Sequence, residues 1–190
     1  NFIKSNNKNF EIVGIDSLNN AYDKRMKELR LKSLQNIQNF SFHQADLSNK
    51  VDMNNLMHVF SGATTVVHLA ARAGVRQSFL DPKSYIEDNT IATATLSNIV
   101  KNNSINKLIV ASTSSIYGDT GSKLAEEYKD ELNEPPSIYA ATKSFGETLA
   151  KNILEDEETI VQFPRFFTVY GPYGRPDMSI LRFVHWVFYN

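Results

Sequence analysis

Lys107-Leu108-Ile109-Val110-Ala111-Ser112-Thr113-Ser114-Ser115 is the stretch whose reading decides the fold. Its first half is an apolar run of strand length, and its second half is an unbroken row of hydroxyl residues. Hydroxyls at the end of a buried strand close a core badly and line a polar pocket well. In open α/β sheets ligands bind outside the carboxyl ends of the strands. An ordinary turn is the competing reading of the same residues.

The surrounding chain repeats the pattern. Upstream, Thr65-Val66-Val67-His68-Leu69-Ala70-Ala71 reads as another buried strand, and Phe40 to Gln44 alternates as a third. Glu11-Ile12-Val13-Gly14-Ile15-Asp16 is a β-branched run closed by an acid and a turn. Downstream, Thr159 to Phe167 is a further strand. Helical patterns separate them over Tyr22 to Gln38, around Met53-Leu56-Met57-Phe60, from Pro82 to Asn102 and from Ser137 to Leu154. Ser137 has the chemistry of an N-cap for the last of these. Strand and helix in alternation predict a parallel sheet with helices on both faces. The methionines and His68 fall at core positions, Asp119 to Pro136 reads as a polar loop, and 179–190 reads as an apolar helix.

Composition narrows the function. The 190 residues carry 42% hydrophobic side chains and a net charge of −1, with no cysteine. A near-neutral chain gives no electrostatic reason to expect nucleic acid or an anionic membrane as partner. Without cysteine there is no disulfide framework, thiol nucleophile or zinc–thiolate site. No apolar stretch approaches the roughly 18 residues of a membrane span, and no signal-peptide pattern opens the chain, so a cytoplasmic location is expected.

Tyr139-Ala140-Ala141-Thr142-Lys143 places a phenol and an ammonium four positions apart, on one helix face and within reach of one small volume. Free tyrosine has a pKa of about 10, and a nearby ammonium favours its phenolate. The bland alternative is a surface tyrosine beside a lysine. Other positions carry similar pairs of readings. Asp16 either ends a strand before a turn or accepts hydrogen bonds from an adenosine ribose, a role that would favour NAD over NADP. Asp46 either accepts from an adenine amino group or caps the helix that follows. Ala70 and Ala71 either pack under a helix or admit a close approach by a cofactor. Asn89 lies mid-helix, where asparagine is a mediocre helix former, which points to a hydrogen-bonding role. Arg72 and Arg76 are either solvated or placed for phosphate or carboxylate.

Taken in order, Asp16, Asp46-Leu47, His68-Leu69-Ala70-Ala71, Ser112-Thr113, Tyr117-Gly118 and Tyr139-Ala140-Ala141-Thr142-Lys143 resemble the extended short-chain dehydrogenase/reductases of the NAD-dependent epimerase/dehydratase family. Ala73-Gly74-Val75-Arg76, Arg165-Phe166-Phe167-Thr168-Val169-Tyr170-Gly171-Pro172 and Gly174-Arg175-Pro176-Asp177-Met178 make the likeness strongest to UDP-glucuronate 4-epimerases. The resemblance implies a Rossmann-like doubly wound sheet and NAD as cofactor. It implies Thr113, Tyr139 and Lys143 as catalytic residues, with Thr113 on the sugar 4-hydroxyl and Tyr139 as base and then acid. Asp16, Asn20, Asp46, Leu47, Ala70, Ala71, Asn89, Ser112, Tyr139, Lys143 and Phe166 match cofactor-contacting positions. Arg76, Thr113, Ser114, Ser115, Tyr139, Thr168 and Arg175 match positions toward the UDP-sugar substrate.

The implied reaction is oxidation at C4 to a 4-keto sugar, turnover of the sugar in the pocket, and return of the hydride to its other face. Sibling dehydratases and decarboxylases resemble this stretch but place carboxylates where this chain has Ser114 and Ser115. Hydroxyls without an adjacent acid fit an epimerase that must avoid decarboxylating a β-keto acid. Alternatives within the resemblance are another UDP-hexose 4-epimerase, a nucleotide-sugar dehydratase or decarboxylase, and a non-catalytic nucleotide-binding fragment. The family's first strand with its glycine-rich turn, and most of its C-terminal substrate domain, find no counterpart in these residues. The expectation is therefore a partial NAD-binding domain over 1–168 and the start of a substrate-binding region over 169–190. By itself such a chain is expected to bind NAD poorly and turn over little. The helices 82–102 and 137–154 resemble those that pair across a family homodimer.

Overall fold

A computed structural model describes residues 10–119 and 134–189, so most of the loop expected over 119–136 lies outside the described residues. The chain divides into two compact units, residues 1–45 with 168–190 and residues 46–167. In the first unit, β1 (Ile12–Asp16) pairs in parallel with β2 (Phe40–Gln44), Ile12 opposite Phe40 and Asp16 opposite Gln44. A parallel pair needs a crossover, and α1 (Lys24–Gln35) supplies it. Its N-cap is Asp23, whose carboxylate accepts from the Arg25 amide at 3.0 Å. Arg30 donates to the Tyr22 hydroxyl at 2.6 Å and to the Gly174 carbonyl at 3.0 Å, tying the returning chain to α1. That return ends in α7 (Ser179–Tyr189).

The second unit holds the larger core. It begins with α2 (Lys50–Asn55), a 3₁₀ turn over Met57–Phe60 and β3 (Thr65–His68). Asn49, not Asp46, caps α2, accepting from the Val51 and Asp52 amides. Asp46 instead closes a local turn on the Ser48 amide at 2.8 Å and the Ser48 hydroxyl at 2.7 Å. Next come α3 (Val75–Leu80), α4 (Pro82–Tyr85), a π-helical turn over Ile86–Ile91 and α5 (Ala92–Asn102). The single helix expected from Pro82 to Asn102 is thus one continuous path with a widened turn in its middle. Asn89 sits in that turn.

β4 (Lys107–Val110) runs parallel between β3 and β6 (Ile160–Gln162), in the order β3-β4-β6. Beyond it, β5 (Ser112–Thr113) pairs with β7 (Arg165–Phe166), Ser112 opposite Arg165 and Thr113 opposite Phe166. The ladder is interrupted at Pro164, which has no N–H to donate, yet the Pro164 carbonyl still accepts from the Ser112 amide at 2.9 Å. A 3₁₀ turn over Ser114–Tyr117 follows, closed by Gly118 at φ 67, a left-handed conformation that suits glycine. The last helix is α6 (Ile138–Ile153), capped by Ser137 as the sequence predicts, its hydroxyl oxygen accepting from the Ala140 amide at 3.1 Å.

Tyr85, Leu96, Ile99, Val100, Ile105, Leu108, Ala140 and Ala150 are buried and fill the space between sheet and helices. The expectation of a fully buried β3 is corrected. Val67 and Leu69 are more than half exposed, because among the described residues β3 pairs only with β4. The expectation that His68 is a satisfied core residue is half met. His68 is 2% exposed, with its Nε2 3.0 Å from the Thr93 hydroxyl, but its Nδ1 has no hydrogen-bond partner among the described residues. Burial, with the nearby Lys143 charge second, pushes His68 down from 6.5 to about 3.

Unfolded His68 therefore takes up a proton that the folded side chain refuses between pH 6.5 and about 3. The stability held above pH 6.5 is lost progressively as pH falls through that window. Denaturant melts at pH 7 and pH 5 should show a drop that His68→Gln reduces. Equal drops in parent and variant would contradict this account.

Candidate active site

Helix α6 carries the site. Tyr139, Lys143 and Glu147 recur every four residues and share one face. The first turn is held from outside: the Tyr139 amide donates to the Ser78 hydroxyl at 3.1 Å, and the Tyr139 ring meets Tyr85 edge-on at 6.3 Å. Tyr85 is in turn fixed by its hydroxyl, which donates to the Gly74 carbonyl at 2.8 Å. The loop after β3 is thereby bound to the helix that carries Tyr139.

Asn89 completes that junction. Its carbonyl oxygen accepts from the Arg72 amide at 2.7 Å, and its amide nitrogen donates to the Arg72 carbonyl at 3.0 Å and the Thr142 hydroxyl at 3.1 Å. Both amide hydrogens are engaged within the protein. Asn89 therefore fixes the backbone immediately after Ala70 and Ala71 against α6. The widened turn matters here, because π turns shift side chains out of regular helical register. The Asn89 backbone carbonyl accepts from the Thr93 hydroxyl at 2.5 Å.

Lys143 is 5% exposed and donates no hydrogen bond to the described protein residues. The Tyr139 hydroxyl likewise makes none. Around them Ser78, Asn89, Thr93, Ser97 and Thr142 all have internal partners. Burial pushes the Lys143 ammonium from 10.5 down to about 8, against the opposing pull of Glu147. An ammonium that is buried and has no acceptor costs stability unless something supplies one. The donor set suits a group presenting hydroxyls to both tips, as a nicotinamide ribose does.

Beneath Lys143, the Glu147 carboxylate accepts from the Ser112 hydroxyl and from Arg165 through two bonds, Nε at 3.0 Å and Nη2 at 2.8 Å. The Arg165 guanidinium also lies 5.1 Å from the Tyr117 ring centre, and the Glu147 carboxylate holds it well above the usual arginine range. Ser112, expected toward the cofactor, thus uses its hydroxyl on Glu147. Thr113 is buried, and its hydroxyl oxygen accepts from the Ser115 amide at 3.1 Å. Ser114 and Ser115 are half-buried in the same turn.

The second unit brings together the β3 end, Asn89, Ser112, Thr113, Tyr139 and Lys143 through these contacts. Asp46 and Leu47 belong to the same unit but to the turn before α2. Arg76 lies exposed on α3, whereas Arg72 is paired with Asp88 at 2.8 Å. Phe166 is half exposed on β7. Asp16, Asn20, Thr168 and Arg175 are in the first unit. There Asp16 accepts from the Leu18 amide at 2.7 Å, and Arg175 is forked onto Asp177. Glu147 and Arg165 were not singled out from the sequence. The available signal was an acid one turn beyond Lys143 on a face otherwise made of small residues.

Residues 3–188 match the model of the NAD dependent epimerase/dehydratase family. The chain belongs to that family. It is 41% identical over 177 residues to the UDP-glucuronate 4-epimerase of Thermodesulfobacterium geofontis, an alignment covering 93% of this chain and 54% of that protein. The crystal structure of UDP-glucuronic acid 4-epimerase from Bacillus cereus, in complex with UDP-glucuronic acid and NAD, superposes with a TM-score of 0.84. The match is at 32% identity and covers 94% of this chain and 55% of that one. UDP-N-acetylglucosamine 4-epimerase from Methanobrevibacter ruminantium follows at TM-score 0.78 and 28% identity, over 94% of this chain and 55% of that one. The expected Rossmann-like α/β fold is that of these structures, and the chain spans about half the length of its matched relatives. Among the described residues no helix is long and apolar enough to cross a membrane, and no group of three or more His, Asp or Glu is placed to hold a metal ion.

Because the buried charge of Lys143 is costly at neutral pH, Lys143→Met should raise stability by about 1–3 kcal/mol, read as a higher melting temperature. A lower melting temperature would show that the ammonium has an internal partner.

Proposed function

We propose that this chain carries the reaction centre of an NAD-dependent UDP-sugar 4-epimerase that interconverts UDP-glucuronate and UDP-galacturonate. The observation that supports it most is the pair of polar tips on α6, the Tyr139 hydroxyl and the buried Lys143 ammonium. Among the described residues neither has a hydrogen-bond partner, although the hydroxyls and amides around them do. NAD, when bound, accepts a hydride from the sugar C4 and gives it back. Tyr139 takes the 4-hydroxyl proton and later returns it. The Lys143 charge, one turn along, stabilises the phenolate formed between the two transfers. Thr113 donates to the reacting oxygen, and Lys143 also holds the nicotinamide ribose.

Ala70 and Ala71 border the nicotinamide end, with Asn89 fixing the loop beside them. Asp46 accepts from the adenine amino group and Asp16 from the adenosine ribose, and Asn20, Leu47 and Phe166 are further contacts to NAD. Ser114 and Ser115 face the sugar carboxylate without an acid to promote loss of carbon dioxide. Thr168, Arg76 and Arg175 contact the substrate. Residues 1–168 serve as the nucleotide-binding part, and the substrate-binding region starts at 169. The helices over 82–102 and 137–154 pair with a second copy in the cytoplasm, using the exposed Ile86, Ile91 and Phe145.

The gene product should convert UDP-glucuronate to UDP-galacturonate, followed by chromatography of the two sugars. Tyr139→Phe should cut turnover at least about a thousandfold while sparing NAD binding. Retained turnover in that variant would remove Tyr139 from the mechanism, and activity on neutral UDP-sugars alone would remove the carboxylate role of Ser114 and Ser115. Phe145→Asp should convert a dimer to a monomer in light scattering, and an unchanged mass would place the interface elsewhere.

A further inference from the structure

We propose that the Glu147–Arg165 pair, with Ser112, is the positioning device of this site, holding α6 in register with the strand that carries Thr113 and tuning the Lys143 charge. The inference rests on the assignment of Thr113, Tyr139 and Lys143 above. Glu147 lies one turn beyond Lys143 on the same face of α6 and is 4% exposed. Its carboxylate is reached by three donors from two neighbouring strands: the Ser112 hydroxyl on β5, and Nε at 3.0 Å and Nη2 at 2.8 Å of Arg165 on β7. Ser112 and Arg165 are themselves register partners across the β5–β7 ladder. One carboxylate thus fixes both strands to one turn of the helix, and Thr113 is the residue next to Ser112.

The arrangement has little freedom. An arginine–carboxylate fork fixes distance and plane together, and the guanidinium also lies over the Tyr117 ring, 5.1 Å from its centre. A buried ion pair is a poor source of stability, since hydrophobic replacements are often as good. Its worth here lies in geometry: sliding α6 by one residue would break all three bonds and shift Tyr139 relative to the strand that carries Thr113.

The same carboxylate acts on charge. Glu147 favours the protonated form of Lys143, opposing its desolvation. The other titratable groups near α6 are His68, which feels the Lys143 charge, Tyr85 on α4, Tyr117, and Glu87 and Asp88 on the π turn. Lys83, Arg76 and Lys101 are the remaining cations there. His68 is neutral at working pH, and Asp88 is neutralised by Arg72. Glu147 is therefore the charge on α6 itself that offsets burial of Lys143, with Arg165 setting how much of it is felt.

The experiment titrates Lys143 by NMR in the gene product labelled with ¹³Cε-lysine, the resonance assigned by its loss in Lys143→Met. Glu147→Gln removes the carboxylate and leaves Arg165 unopposed, so the Lys143 midpoint falls. Arg165→Met leaves the carboxylate unneutralised, so the midpoint rises. A purely structural role would not move the two in opposite directions. Arg165→Lys keeps the charge and loses the fork; it should lower kcat at least about tenfold with KM little changed. Should Glu147→Gln or Arg165→Met fail to fold, the Arg165→Lys result decides.

Midpoints that stay put or move together in the folded variants, or an unaltered kcat in Arg165→Lys, would overturn the proposal. Failure of the catalytic reading is separate: it appears as activity retained in Tyr139→Phe, with the opposed midpoint shifts still present.

Discussion

A lysine ammonium held out of water, with no hydrogen-bond acceptor among the described residues, is the constraint on which this site depends. Isolated buried charges are normally avoided, either by pairing or by giving up the proton. Lys143 does neither fully. Burial lowers it to about 8, which leaves it mostly protonated at neutral pH. What makes that tolerable is the carboxylate one turn away, and what keeps the carboxylate from capturing the ammonium outright is its fork onto Arg165. Charge is thus supplied to the pocket while its donors stay available.

The surrounding polar residues have the opposite assignment. Asn89, Thr93, Ser97, Ser78 and Thr142 are buried and bonded to backbone or to one another, so they stiffen the frame. Asn89 joins the end of β3 to α6, and Ser112 joins the end of β5 to the same helix through Glu147. Both strand ends that would border a ligand are therefore referenced to the element that carries Tyr139. The apolar core of Tyr85, Val100, Leu108 and Ala140 supplies the burial that offsets the cost. Satisfied polar contacts supply the alignment.

What the sequence showed and what it hid divide along a physical line. The strand cores, the Ser137 cap and the Tyr139–Lys143 helix face are local patterns and are found where expected, although the strand expected over 159–167 is broken at Pro164 and the one from 65 ends at His68. The use of Asn89 depends on Arg72 and Thr142, 17 and 53 positions away, and that of Glu147 on Ser112, 35 positions away. No periodicity reports such partners. The exposure of Val67 and Leu69 was hidden for the same reason, since an apolar strand looks alike whether or not a neighbour covers it. The capping role offered to Asp46 fell to Asn49 because several polar residues stood before the helix, and only backbone geometry chooses among them.

The central claim is that the unpartnered tips of Tyr139 and Lys143 face what the protein binds. It is tested most directly by following the ¹³Cε resonance of Lys143 in the gene product as NAD is added. The account predicts that the resonance moves and saturates together with cofactor binding. A resonance that stays fixed at saturating NAD would contradict it.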